Sequence, residues 1–132
     1  MFRLMIVTMA IVLMFQPYPL IGEEKVVIGV AADGDTLEAA VSHLAARAPY
    51  FLIVNDEGKL MEAVANPYKD NRGGAGVSAA NFLAEKNVTV VVAGNFGNKM
   101  INALADQEIA HFEFEGRVAE AIQEVLRKDE RP

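Results

Sequence analysis

The chain has 132 residues, of which 52% are hydrophobic and 23% are charged, and this composition excludes an intrinsically disordered protein. Its 18 acidic and 12 basic side chains give a formal net charge of -6, which argues against general nucleic-acid binding because an acidic surface repels the phosphate backbone. Cysteine is absent, so disulfides, thiolate metal sites and cysteine nucleophiles are excluded together.

The N-terminal residues 1–24 differ in composition from the rest of the chain. Between Leu4 and Phe15 only Thr8 is polar, and this run is shorter than the ~20 residues that a helix needs to span a bilayer. The segment is interpreted either as a signal-like leader or as an over-long gene start, and both alternatives stay open. A cytoplasmic protein is predicted. Export, membrane anchoring or membrane contact is expected only if residues 1–24 are retained.

Residues 25–128 are predicted to form a single α/β domain, followed by a polar tail at 129–132. Strands are predicted where β-branched and apolar residues run together, and helices where apolar residues recur at three- and four-residue spacing. In chain order these are a strand at 25–31, a helix at 36–48, strands at 50–55 and 59–66, a helix at 75–86, a strand at 88–94, a helix at 97–106, a strand at 108–114 and a helix at 117–128.

The order of these elements predicts how they assemble. The strands at 50–55 and 59–66 flank a short turn that contains Gly58, which indicates an antiparallel hairpin. The strand at 88–94 is apolar on both faces and suits a sheet interior, whereas the more polar strand at 108–114 suits an edge. A hairpin followed by alternating helices and strands predicts a mixed, mostly parallel sheet with helices on both faces.

Three loops are predicted to lie where parallel strands end, which is the usual ligand-binding edge of such sheets. The loops at 66–76 and 94–99 are rich in glycine and lead into helix starts, so their amides can bind an anion. The alternative is that the glycines only permit tight turns between strands and helices. The predicted binding residues are Arg47, Asn66, Lys69, Arg72, Gly73, Gly74, Gly76, Gly94, Asn95, Gly97 and Lys99.

The third loop, at 32–36, suggests a different chemistry. Asp33 and Asp35 follow the first predicted strand, where paired carboxylates can hold magnesium for phosphodiester cleavage, and Asp70 could approach them. The predicted strand at 88–94 carries none of the further carboxylates that such a site needs, so a solvated turn is the alternative. His43 is retained as a candidate metal ligand, although it stands alone in sequence.

Several segments, taken in order, resemble the dinitrogenase iron-molybdenum cofactor biosynthesis family over about residues 25–126. The resemblance implies a ribonuclease-H-like, three-layer fold with a five-stranded mixed sheet in which one strand is antiparallel. It also implies a non-catalytic carrier that transiently binds an iron-molybdenum or other metal–sulfur cluster and exchanges it with a donor or acceptor protein. The segments are "VVIGVA" at 26–31, "VS" at 41–42, "RAPYFLIV" at 47–54, "NP" at 66–67, "GGAG" at 73–76, "VVVAGNFGNKMINAL" at 90–104 and "GRVAEAI" at 116–122.

This chain departs from the family pattern at its histidines. Many members carry histidine where this chain has Leu44, with His43 one place earlier, and others carry it where Asn71 and Arg72 stand. The departure favours docking of a whole anionic cluster over coordination by side chains. The alternatives are a magnesium-dependent phosphodiester hydrolase of the ribonuclease-H-like fold, using Asp33 and Asp35, and a non-catalytic assembly or regulatory module that has lost its cluster site.

Overall fold

The structure is a computed structural model, and it describes residues 25–129. The N-terminal segment 1–24 and residues 130–132 of the predicted tail lie outside the described residues. The elements in chain order are β1 (Ile28–Ala32), a short 3-10 helix (Ala45–Arg47), β2 (Tyr50–Val54), β3 (Leu60–Ala65), α1 (Ala75–Glu85), β4 (Val90–Ala93), α2 (Asn98–Asp106), β5 (Ala110–Glu113) and α3 (Val118–Asp129).

The five strands form one sheet in the order β3-β2-β1-β4-β5. β2 pairs antiparallel with both β1 and β3, whereas β4 pairs parallel with both β1 and β5. The predicted hairpin and mixed sheet are confirmed, but the expectation of a mostly parallel sheet is wrong. The hairpin inserts β2 between β3 and β1, and this single reversed strand makes two of the four pairings antiparallel.

Alternate residues of the strands supply two apolar layers. Phe51 and Ile53 of β2 pack towards α1 and α2, whereas Leu52 and Val54 pack towards α3. The predicted cover of helices on both faces is therefore confirmed, as are the interior place of β4 and the edge place of β5 in the sheet. None of the helices within residues 25–129 is long and apolar enough to cross a membrane.

The helix predicted at 36–48 does not form. The N–H of Val41 donates to the carbonyl of Gly116 at 2.8 Å, and the N–H of Ser42 donates to the carbonyl of Ala31 at 2.8 Å. These bonds to distant parts of the chain replace the local bonds that a helix would need, so tertiary pairing overrides the helical spacing. The segment instead crosses the carboxyl ends of β1 and β4, and only Ala45–Arg47 takes a helical turn.

Candidate functional site

The two glycine loops meet at the carboxyl edge of the sheet, beside the short 3-10 helix. Between them lies an open cleft with a volume of about 350 Å³, lined by the first turns of α1 and α2 and by the residues before them. The floor includes Phe96, which is almost completely buried. The predicted binding residues that line this cleft are Arg47, Arg72, Gly73, Gly74, Gly76, Gly97 and Lys99.

Among residues 25–129, no side chain caps either helix start at the cleft. Gly74 precedes α1 with φ 73°, and Gly97 precedes α2 with φ 77°, a region that glycine enters without strain. The first main-chain bonds of the helices run from Ser78 N–H to the Gly74 carbonyl and from Ile101 N–H to the Gly97 carbonyl. The amides of the three residues before each of these donors have no carbonyl partner within their helix. Two sets of N–H donors and two positive dipole ends thus lie at one cleft.

Gly76 allows the two helix starts to approach this closely. A Cβ at this position would lie 3.0 Å from the Cβ of Met100 and 3.4 Å from its main-chain nitrogen. Any side chain would therefore push the first turn of α1 away from the first turn of α2. In the described part of the chain, no atom lies within 4 Å of the position that a Cβ would take on Gly73 or Gly74, so their main chain is open to a ligand.

Arg47 lines the cleft and also contacts the loop that precedes α1. Its Nη1 donates to the carbonyl of Lys69 at 2.8 Å and to the carbonyl of Asn71. The side chain of Lys69 does not line the cleft, and this residue contributes its carbonyl to the contact. Arg47 and Lys69 are both among the predicted binding residues, but Lys69 contributes to this contact through its main chain.

Asn66 lies outside the cleft and is 4% exposed. Its Nδ2 donates to the carbonyls of Ala46 at 2.9 Å and Ala48 at 3.0 Å, and its Oδ1 accepts the N–H of Tyr68 at 2.9 Å. All of these groups would be unsatisfied if the side chain were removed. Asn66 therefore joins the loop to the short helix from within the fold.

Gly94 and Asn95 shape the second loop without lining the cleft. A Cβ on Gly94 would lie 2.9 Å from the carbonyl oxygen of His43, so only glycine lets the two main chains pack together. The Oδ1 of Asn95 accepts the N–H of Gly97 at 3.2 Å, and its carbonyl accepts the N–H of Ala45 at 3.0 Å. These contacts set the direction in which the chain enters α2.

The candidate metal ligands do not gather at the cleft. His43 is exposed and contacts the second loop mainly through its main chain, and Asp33 and Asp35 are exposed in a loop that does not line the cleft. Within residues 25–129 no three acidic or imidazole side chains are close enough together to hold a metal ion. The magnesium site of the hydrolase alternative therefore lacks a third such side chain beside Asp33 and Asp35.

The charges at the cleft differ in sign from the net charge of the chain. Arg47, Arg72 and Lys99 are exposed at its rim, although the chain as a whole carries -6. The ion pairs in the described part of the chain are Lys86 with Glu62 and Arg127 with Glu124, so none of the three rim cations is neutralised by one. The cleft thus combines free amides with unpaired cations, and an anion is the ligand that both attract.

Sequence reasoning missed the floor and inner wall of the cleft. Phe96, Met100 and Ala46 line the cleft, and none of them is among the binding residues that the sequence predicts. Phe96 packs edge-on against His111, with 5.2 Å between ring centroids, and this contact fixes the ring from the side of β5. The sequence signal for Phe96 is its position between Gly94 and Gly97 of the second loop.

The comparison with known proteins agrees with the resemblance found in the sequence. The model of the dinitrogenase iron-molybdenum cofactor family matches residues 25–128. The chain belongs to this family. No curated protein matches the chain.

Solved structures of similar proteins extend this assignment. The apo form of the orange protein from Desulfovibrio gigas is 30% identical to this chain and superposes on it with a TM-score of 0.74. The match covers 80% of this chain and 90% of the orange protein. A proposed NifB protein of the DUF35 family from Thermotoga is 27% identical, with coverages of 78% and 88% and a TM-score of 0.65. A proposed dinitrogenase from Methanocaldococcus jannaschii, 18% identical with coverages of 80% and 92% and a TM-score of 0.58, shares the fold.

Proposed function

We propose that this member of the dinitrogenase iron-molybdenum cofactor family binds and carries an anionic metal–sulfur cluster or cluster precursor. The cluster would lie in the cleft between the starts of α1 and α2. The observation that carries the proposal is the convergence of two helix N-termini without side-chain caps on this cleft. Family membership supports a cofactor-related binding role, and the ligand class is argued from the cleft.

The donors at the cleft suit a ligand that presents many acceptor atoms. A thiometallate or iron–sulfur cluster has sulfides on several sides and a negative charge, so it can accept bonds from both helix starts at once. Arg47, Arg72 and Lys99 would add charge attraction at the rim, where solvent keeps each contribution modest. Gly73 and Gly74 would let the main chain approach the cluster without an intervening side chain.

The residue types of this chain favour a cluster that is carried without a covalent bond to the protein. The chain has no cysteine, and its described part has no group of three side chains that could hold a metal ion. A cluster held by outer contacts keeps its own sulfur ligands and can leave without breaking a metal–protein bond. Transient storage and delivery to an acceptor protein follow as the proposed role, and we propose no catalysed reaction.

The finer fold assignment also remains a prediction. The single reversed strand, β2, between β3 and β1 supports the ribonuclease-H-like class implied by the family resemblance. An architecture like that of ribonuclease-H-like proteins does not imply the hydrolase function, because function depends on the residues at a site and not on the fold.

Binding of tetrathiomolybdate tests the proposal. Purified protein mixed with this anion under anaerobic conditions is expected to retain visible absorbance and molybdenum through gel filtration. Molybdate is the matched control, since it has the same charge and tetrahedral shape but presents oxygen instead of sulfur. Retention of neither anion would contradict the proposed function. Equal retention of both would contradict the metal–sulfur part and leave a general anion site.

A further inference from the structure

The loop before α1, residues 66–74, is fixed in its first part and open in its last. Tyr68 packs edge-on against Phe82, with 6.0 Å between ring centroids, and its carbonyl accepts the N–H of Asn71 at 3.1 Å. From residue 72 to residue 74 the chain is exposed, and no described atom lies within 4 Å of the position that a Cβ would take on either of its two glycines. Such a segment has many accessible conformations unless a neighbouring contact restricts it.

Arg47 contacts the loop where its fixed part ends. One guanidinium nitrogen, Nη1, donates to the carbonyls of Lys69 and Asn71, and Asn71 immediately precedes Arg72. The bonds span 22 and 24 residues of sequence, so they fix the loop against the short 3-10 helix. The same bonds hold the two carbonyl oxygens on the guanidinium group. Either oxygen would repel an anion if it pointed into the cleft.

We propose that Arg47 is a positioning residue, which holds the loop so that Arg72 and the start of α1 face the cleft. Its effect on ligand affinity then runs mainly through Arg72 and the amides of α1, and only in small part through its own charge. This inference rests on the proposed function, and it assigns Arg47 a role different from the direct anion contact that the sequence predicted.

The order of the loop can be measured without any ligand. In Arg47→Ala the backbone order parameters of residues 70–74 are expected to fall from the rigid range near ~0.85 to below ~0.6. Lys99→Ala is the matched control, because it removes a rim cation whose side chain makes no hydrogen bond or ion pair with this loop in the described part of the chain. Unchanged order parameters in Arg47→Ala would overturn the proposal.

A double-mutant cycle with tetrathiomolybdate separates positioning from direct contact. Arg47→Ala is expected to weaken binding about tenfold and Arg72→Ala about fivefold, while the double variant binds within about twofold of Arg47→Ala. Two independent charge contacts would instead multiply to a loss of about fiftyfold. That product, or unchanged affinity in Arg47→Ala, would overturn the proposal.

The two proposals fail in different ways. If the unsubstituted protein binds no tetrathiomolybdate, the proposed function fails, and the order parameters alone decide whether Arg47 positions the loop. If Arg47→Ala does not fold, Arg47→Lys replaces it, since lysine keeps the charge but loses the planar guanidinium. Affinity that falls together with the order parameters supports positioning. Affinity that stays unchanged while the order parameters fall overturns it.

Discussion

Gly76 in the first turn of α1 lies directly against Met100 in the first turn of α2. A methyl group on Gly76 would come within 3.0 Å of the Met100 Cβ, and the next nearest atoms, at 3.4 Å, belong to the main chain of Met100. Main-chain atoms cannot move aside as the end of a flexible side chain can. The distance between the two helix starts, and with it the width of the cleft, therefore depends on the absence of a side chain at this position.

Gly76→Ala is expected to lower the free energy of unfolding and to weaken tetrathiomolybdate binding. An added methyl group in a packed site costs about 1–3 kcal/mol, whereas alanine gains at most about 1 kcal/mol over glycine in a helix, so a net loss of roughly 1 kcal/mol is expected. Binding is expected to weaken about fivefold as the helix starts separate. Urea denaturation and anaerobic titration measure the two effects.

Gly73→Ala is the matched control for this substitution. Within residues 25–129 no atom lies within 4 Å of the position that a Cβ would take on Gly73, and the φ of Gly73 lies outside the left-handed region. Alanine is therefore expected to leave the free energy of unfolding unchanged or to raise it by about 0.5 kcal/mol. Equal destabilisation by the two substitutions would contradict the role given to the Gly76 contact.

Asn66→Asp is expected to destabilise the protein by about 2–4 kcal/mol. The substitution keeps the shape but removes the Nδ2 donor, so a buried carboxylate oxygen would face the carbonyls of Ala46 and Ala48. Asn55→Asp is the control, because the exposed Oδ1 of Asn55 only accepts, from the N–H groups of Glu57 and Lys59. A carboxylate preserves those bonds, and thermal unfolding should separate the two variants clearly.

Arg72→Glu is expected to weaken tetrathiomolybdate binding about tenfold at low salt and less at high salt. Arg72 is exposed and has no ion-pair partner within residues 25–129. The substitution should therefore change the free energy of unfolding of the protein by less than about 0.5 kcal/mol. Lys59→Glu makes the same charge change at the hairpin, away from the cleft. If both variants bind equally weakly, the net charge of the protein decides binding and the cleft does not.

His43→Ala tests the remaining candidate for side-chain coordination. The imidazole is exposed and does not line the cleft, while the close contact with Gly94 involves mainly the His43 main chain. Retention of molybdenum from tetrathiomolybdate is therefore expected to stay within about twofold of the unsubstituted protein. Loss of bound metal, measured by elemental analysis after gel filtration, would restore His43 as a ligand.

Most of the strands and helices could be predicted because their signals are local. The β2–β3 hairpin follows from apolar runs on either side of a turn with glycine, and α1, α2 and α3 follow from apolar spacing. The segment 36–48 has the same spacing but does not form a helix. Its amides bond to Ala31 and Gly116, which are distant in sequence, and no local pattern reports such partners.

The sequence by itself determined the family and the two glycine loops that lead into helices, because both are carried by the order of residues along the chain. Only the tertiary structure decided that these loops share one cleft and which cations lie at its rim. It also decided that Asn66 and Arg47 bond to main-chain carbonyls, since hydrogen bonds across about twenty residues depend on how the chain folds back on itself.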